Sequence, residues 1–312
     1  CKKFQRNIFH GRNYSLAFNL SLSFHLGVVK KNCYNQNMKK IIIVTGASSG
    51  MGFWFAKLLA HESSEFEKLS SDELWIIARR KERLEELRTQ IENESFQEKI
   101  KFPKVKIFPI DISGIQGALK IKELFENEKT KGDFKINVLV NNAGFGTYGE
   151  FAKTDIMREM KMIDLDCTSL TGITGFAIPY MQKDSRIINV ASLASFLPLG
   201  NFAVYGACKS YVLSFSVALA AELKHKGIKV TALCPGPVST EFADVASRGA
   251  RKKVRHGLSP EKTVLDAIKC SRKGKLYSMK FFKWKFKAAA SRFVGRYFGA
   301  WATYKFCKRP SN

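Results

Sequence analysis

Lys40-Ile41-Ile42-Ile43-Val44-Thr45-Gly46-Ala47-Ser48-Ser49-Gly50-Met51-Gly52 is the stretch on which the reading of the fold turns. Its β-branched run suits a strand buried on both faces. Beyond the glycines, Phe53, Phe55, Ala56, Leu58, Leu59 and Ala60 follow with a helical pattern. A strand, a glycine turn and a helix N-terminus make a phosphate site, because free N–H groups and the positive dipole end face the anion. The spacing Gly-x-x-x-Gly-x-Gly departs from the common Gly-x-Gly-x-x-Gly. A plain tight turn is the alternative, although three glycines are costly unless something must approach closely.

Working outward, strands are expected at Glu73–Ala78, Val105–Ile110, Ile136–Val140, Arg186–Val190 and Lys229–Leu233, with Leu276–Phe281 a further candidate. Helices are expected over 81–93, 117–126, 155–182 (one long helix ending near Pro179) and 203–225. Such alternation predicts an α/β fold, a doubly wound parallel sheet of about seven strands in a single domain. The domain is expected over 38–282, with a basic aromatic helical extension over 283–312.

Charge divides unevenly along the 312 residues. The net charge is +25, yet residues 38–245 hold 27 Lys/Arg against 25 Asp/Glu, and residues 246–312 hold 19 against two. The central domain is therefore near neutral, which argues against a nucleic-acid partner. Seven cysteines without a CxxC pair suggest reduced thiols in a cytoplasmic compartment, and five histidines without metal spacing imply no metal. Residues 1–37 carry six Lys/Arg, no acid and no methionine before Met38. They are expected to be a non-native or disordered leader, with a loosely membrane-associated leader as the other reading.

Two more features carry chemistry. Tyr205 and Lys209 are four apart, on one face of a predicted helix. The ammonium is expected to pull the phenol pKa down from about 10, so that the phenol can exchange a proton with a carbonyl or alcohol oxygen. Ser192, just past the fifth strand, can hydrogen-bond that oxygen.

Together with Asn141-Asn142-Ala143-Gly144 and Pro235-Gly236-Pro237-Val238-Ser239-Thr240, in this order and at these separations, the chain resembles the short-chain dehydrogenases/reductases from about Met38 to Thr240. The resemblance implies a Rossmann-type fold and an oxidoreductase interconverting a ketone and a secondary alcohol. Ser192 would orient the carbonyl, Tyr205 transfer the proton, and Lys209 tune the phenol and hold the nicotinamide ribose. Gly46, Ser48, Ser49, Gly50, Met51, Gly52, Asp111, Ile112, Asn142, Ala143, Gly144, Pro235, Gly236, Val238 and Thr240 would border the cofactor. The second strand ends Ala78-Arg79-Arg80, without the acid an NAD enzyme needs there, so NADP is expected with Arg79 on its 2′-phosphate. A solvated basic turn is the alternative.

One departure stands out. The family's central-helix asparagine is replaced, on the usual interval from Pro179, by Asp166, with Asp164 the other register. An ionised acid there would oppose the phenolate.

Leu193, Phe196, Leu197, Leu199, Phe202 and Val204 make the substrate side apolar, suggesting a lipid-like, acyl or polycyclic substrate met by Ser192, Leu193, Phe202 and Tyr205. The basic stretch Arg251–Arg255 hints at an anionic carrier, or is a solvated loop. In the tail, Phe282, Phe286, Ala290, Phe293, Tyr297, Trp301 and Tyr304 would share one face of a helix. That helix is expected either to pack beside the substrate pocket or to touch an anionic membrane peripherally, and a homo-oligomer is expected from the resemblance. A non-catalytic, membrane-associated dinucleotide-binding protein is the competing function.

Overall fold

The computed structural model describes residues 38–66, 70–251, 257–291 and 293–311. The leader 1–37 lies outside the described residues, as do Lys252, Lys253 and Arg255 of the basic stretch and Arg292 of the tail.

Isoleucines at alternate positions of the first strand feed two different cores. In β1 (Lys39–Thr45), Ile42 and Val44 face one hydrophobic cluster, and Ile41 and Ile43 face the other. All four are essentially inaccessible to solvent, and each contributes roughly 1.5–3 kcal/mol by burial. A strand apolar on both faces can only sit between two helical layers. Helices α1 (Gly50–Glu65), α2 (Lys81–Glu98) and α8 (Pro260–Arg272) cover the first cluster. Helices α3 (Gly114–Lys129), α5 (Leu170–Ala177) and α6 (Ala203–Leu223) cover the second.

The other strands are β2 (Glu73–Ala78), β3 (Lys104–Pro109), β4 (Phe134–Asn141), β5 (Arg186–Val190), β6 (Lys229–Leu233) and β7 (Tyr277–Ser278). Their order is β3-β2-β1-β4-β5-β6-β7, parallel throughout. The direction of winding reverses between β1 and β4, and in such sheets the crevice past the carboxyl ends at the reversal receives the ligand. Arg186, buried at the start of β5, pairs with Glu62 of α1 and donates to Ser271 Oγ of α8 at 3.2 Å, tying one face together.

The long helix expected over 155–182 forms as one run from Ile156 to Tyr180 with a widened middle: α4 (Ile156–Ile163), a π-helical turn Asp164–Ser169, and α5, followed by a 3-10 turn at Ile178–Tyr180. Ser169 and Thr171 donate their hydroxyls back to the carbonyls of Asp164 and Cys167, at 2.8 Å each, and such back-bonding bends helices. The tail departs from expectation: it is two helices, α9 (Phe282–Ala290) and α10 (Arg296–Phe306), so no single aromatic stripe forms. Gly295, the residue before α10, is extended rather than helical, which resets the direction of the chain. Both helices belong to the same compact unit as the sheet, so the extension is a covering of the domain. A short helix, α7 (Phe242–Ala246), occupies a stretch without a helical pattern.

Candidate active site

The glycine turn after β1 is shaped by what it must pass. Gly46 has φ +66° and donates its N–H to Ile77 O at 2.8 Å, and any Cβ on it would lie 2.8 Å from Ala143 Cα. A Cβ on Gly52 would run into the Gly46 carbonyl. Asn142 closes the turn from β4, its Nδ2 donating to Thr45 O at 3.0 Å and Gly46 O at 3.2 Å. Thr45 Oγ1 accepts from the N–H groups of Asn142 and Ala143 at 3.0 and 3.2 Å. The ends of β1 and β4 are thus fastened edge to edge at the crevice.

Ser49 precedes α1 without capping it through its side chain, an arrangement that suits an anion at the helix start. Both serine hydroxyls instead accept from Arg80: Nη2 to Ser49 Oγ at 2.8 Å, and Nε to Ser48 Oγ at 3.2 Å. Arg80 also pairs with Glu241 at 3.1 Å, and Arg83 with the same carboxylate at 3.4 Å. Arg79 is exposed beside it. Sequence reasoning singled out Arg79, yet Arg80 is the guanidinium held on the glycine turn.

Thr240 comes to Gly50, its methyl 3.2 Å from where a Cβ would stand. Val238 bridges to Leu258, and Pro235 O accepts from Leu193 N–H at 2.9 Å. Trp284 of α9 lies against Gly236, where a Cβ would meet the indole at 2.6 Å. Met51 packs on the core of the α1 face. Asp111 accepts from the Ser113 N–H at 3.0 Å, and Ile112 is buried.

One strand further along, Ser192, Tyr205 and Lys209 come together. Ser192 is close enough to the Tyr205 phenol to pull its pKa down, and its hydroxyl accepts from Ala194 N–H at 3.1 Å. Lys209 Nζ is 5.6 Å from the Tyr205 ring centre and donates to Val190 O at 3.1 Å. Its third neighbour decides the electrostatics. Asp166, carried inward by the π turn, is buried with Oδ2 2.8 Å from Lys209 Nζ, while Oδ1 accepts from Phe145 N–H at 3.0 Å. Asp164 is exposed, so of the two registers the structure brings Asp166 to the lysine. A Cβ on Gly144 would lie 2.8 Å from Asp166 Oδ1, so only glycine leaves the carboxylate its place.

The expected lowering of the tyrosine pKa is reversed. Burial pushes the Tyr205 phenol up; Lys209 and the Ser192 hydrogen bond pull it down, but Asp166 and Tyr148 add to the rise. Burial also raises the Asp166 carboxyl, against the opposing pull of Lys209 and the Phe145 amide. Burial works against the Lys209 ammonium, yet the adjacent Asp166 more than compensates and holds it charged. The lysine is thus half spent on the aspartate.

Aromatic rings roof the tyrosine. Phe202 stacks on it at 4.0 Å between centres, and Phe242 lies at 5.3 Å. Tyr148 meets Phe202 edge-on at 4.8 Å and lines a cavity of about 510 Å³ with Asn201, Arg248 and the tail residues Lys308 and Arg309. Leu193 packs instead among Leu170, Cys234 and Trp284, away from the tyrosine. Sequence reasoning offered Arg80 only as the neighbour of Arg79 at the end of the second strand, and it missed Phe242, Tyr148 and Trp284.

The model of the short chain dehydrogenase family matches residues 40–250, most of the described domain. The chain is 29% identical over 222 residues to an uncharacterized oxidoreductase of Staphylococcus epidermidis, covering 69% of this chain and 85% of that one. It is 32% identical over 217 residues to the 11-beta-hydroxysteroid dehydrogenase-like 3 of Arabidopsis thaliana, spanning 69% of this chain and 64% of that protein. Among solved structures, a short-chain dehydrogenase from Sphingobium yanoikuyae in complex with NADPH superposes with TM-score 0.66 at 24% identity, over 81% of this chain and 94% of that one; this likeness shows the fold. On these grounds the chain belongs to the short-chain dehydrogenases, NAD(P)-dependent dehydrogenases and reductases.

Proposed function

We propose that this protein is an NADP-dependent oxidoreductase that interconverts a ketone and a secondary alcohol on an apolar substrate. The meeting of Ser192, Tyr205 and Lys209 beside the glycine turn carries the reading. The nucleotide supplies the hydride when bound. Ser192 Oγ orients the carbonyl oxygen and steadies the charge that builds on it. Tyr205 Oη then gives that oxygen its proton. The protonated phenol serves as the acid in ketone reduction, and the ionised phenol serves as the base in alcohol oxidation. Lys209 Nζ, fixed by Val190 O and Asp166, limits how far the phenol's pKa rises.

The NADP preference rests on Arg79 and Arg80 at the end of β2, where no acid awaits a ribose 2′-OH. Phe202, Phe242 and Tyr148 make the approach to Tyr205 aromatic, which favours a lipid-like, acyl or polycyclic ketone. The name of the Arabidopsis relative is consistent with a polycyclic one. None of the five described cysteines is bridged, which supports a reducing, cytoplasmic compartment. A homo-oligomer formed with a second copy is supported by apolar side chains left exposed on three neighbouring helices: Ile115 and Leu119, Met160 and Ile163, and Tyr211. A non-catalytic dinucleotide binder is not favoured, because it leaves the meeting of Ser192, Tyr205 and Lys209 without a use. The test is loss of NADPH absorbance against a panel of apolar ketones. Tight NADPH binding with no turnover of any ketone or alcohol would overturn the proposal.

A further inference from the structure

The inner sides of α9 and α10 are accounted for. Ala288 and Trp284 pack on the loop that follows Ser192 and on Gly236. Gly299 sits under Leu197, Thr303 Oγ1 accepts from Gly200 N–H at 2.9 Å, and Tyr304 O accepts from Asn201 Nδ2 at 2.9 Å. Arg309 donates to Gly200 O at 2.9 Å and lies 5.2 Å over the Phe202 ring. The tail therefore holds the loop whose last residue, Phe202, stacks on Tyr205.

The outer sides are not covered by any described residue. Phe282 is 81% exposed, Phe293 90%, Tyr297 83% and Phe306 70%, with Phe286 and Phe298 above 60%. Lys283, Lys285, Lys287, Arg296, Lys305 and Lys308 are exposed among them. No acidic residue follows Asp266 to the end of the chain, a run holding thirteen Lys/Arg. Several ammonium groups lie over rings, such as Lys283 over Trp284 at 4.8 Å and Lys305 over Trp301 at 5.1 Å. Aromatic rings with their cations alongside suit the boundary between lipid headgroups and acyl chains, and the one-signed charge suits an anionic leaflet.

We propose that this outer face of α9 and α10 seats the protein peripherally on an anionic lipid bilayer. Resting on the function proposed above, the seated face runs on into Lys308, which with Arg309, Tyr148 and Asn201 lines the cavity already described, so docking sets that side of the domain against the bilayer that would hold an apolar substrate. Docking is peripheral. The one described helix long and apolar enough to span, Ala203–Lys226, carries Tyr205 and Lys209 buried against the domain.

The test is sedimentation of the full chain with vesicles of phosphatidylcholine alone or mixed with phosphatidylglycerol. Binding to the mixed vesicles is expected at least about tenfold above binding to the neutral ones, and raising salt from about 0.1 to about 0.5 M should release the protein. Phe282→Ser, Phe286→Ser and Phe293→Ser combined should cut binding at least about tenfold. Circular dichroism and NADPH turnover of a water-soluble ketone should stay unchanged. Turnover without vesicle binding overturns the docking and leaves the enzyme reading intact; vesicle binding without turnover does the reverse. Loss of self-association in the triple variant, with no lipid binding by the parent, would reassign the face to a second copy and overturn the proposal.

Discussion

Asp166→Asn should make Tyr205 a stronger acid. Asparagine keeps an oxygen to accept from the Phe145 N–H but removes the negative charge beside Lys209. The ammonium, 5.6 Å from the ring, favours the phenolate by about 3 kcal/mol at an effective dielectric of about 20. The carboxylate stands one ion-pair length, 2.8 Å, beyond that ammonium. Even on the far side of it, the opposing effect on the phenolate is about 2 kcal/mol, or about 1.5 pKa units. The variant's phenol pKa should therefore fall by about one to two units. The assay is kcat/KM for oxidation of a secondary alcohol against pH, where activity rises as the phenol ionises. Its acid limb should move down by that amount, and the alkaline loss of ketone reduction should move down with it. Unfolding in urea should come earlier, because a buried ammonium has lost its counter-ion. A limb that stays fixed or moves up in folded variant would refute the idea that Asp166 offsets Lys209.

Other outcomes follow from the same geometry. Tyr205→Phe should abolish turnover while NADPH affinity stays within a few-fold, as titration and single-turnover assays would show; more than about a tenth of the activity remaining removes Tyr205 from proton transfer. Arg79→Ala should weaken NADPH by about 2 kcal/mol and spare NADH. Arg80→Ala, which frees the Ser48 and Ser49 hydroxyls, should weaken both cofactors; calorimetric titration of the pair separates the two roles. Truncation after Gly295 removes the helix that holds Gly200 and Asn201. It should raise KM for the ketone several-fold with NADPH affinity little changed, and an unaltered KM would show that α10 does not hold the substrate loop.

Residues 38–240 were legible in the sequence wherever local rules suffice. Ile41–Thr45 reads as a two-faced strand because strand side chains alternate, and the Gly46–Gly52 spacing demands a close approach. Ser192, Tyr205 and Lys209 were legible as a set through the resemblance that their spacing carries. What the sequence by itself determined is therefore the order of strands and helices, the glycine turn after β1 and the grouping of Ser192, Tyr205 and Lys209 as candidates. Tertiary structure decided the rest. A π turn cannot be counted from a helical pattern, yet it brings Asp166 rather than Asp164 to Lys209, where the carboxylate adds to the rise that burial gives the phenol's pKa. The choice of Arg80 over Arg79 on the glycine turn depends on how β2 passes Ser48. In the tail, helical periodicity gave one aromatic stripe, but contacts more than a hundred residues apart, Gly200 with Thr303 and Asn201 with Tyr304, set which rings face the domain and which face out. Charge balance and ring exposure are properties of who sits beside whom, and that is fixed only when the chain closes on itself.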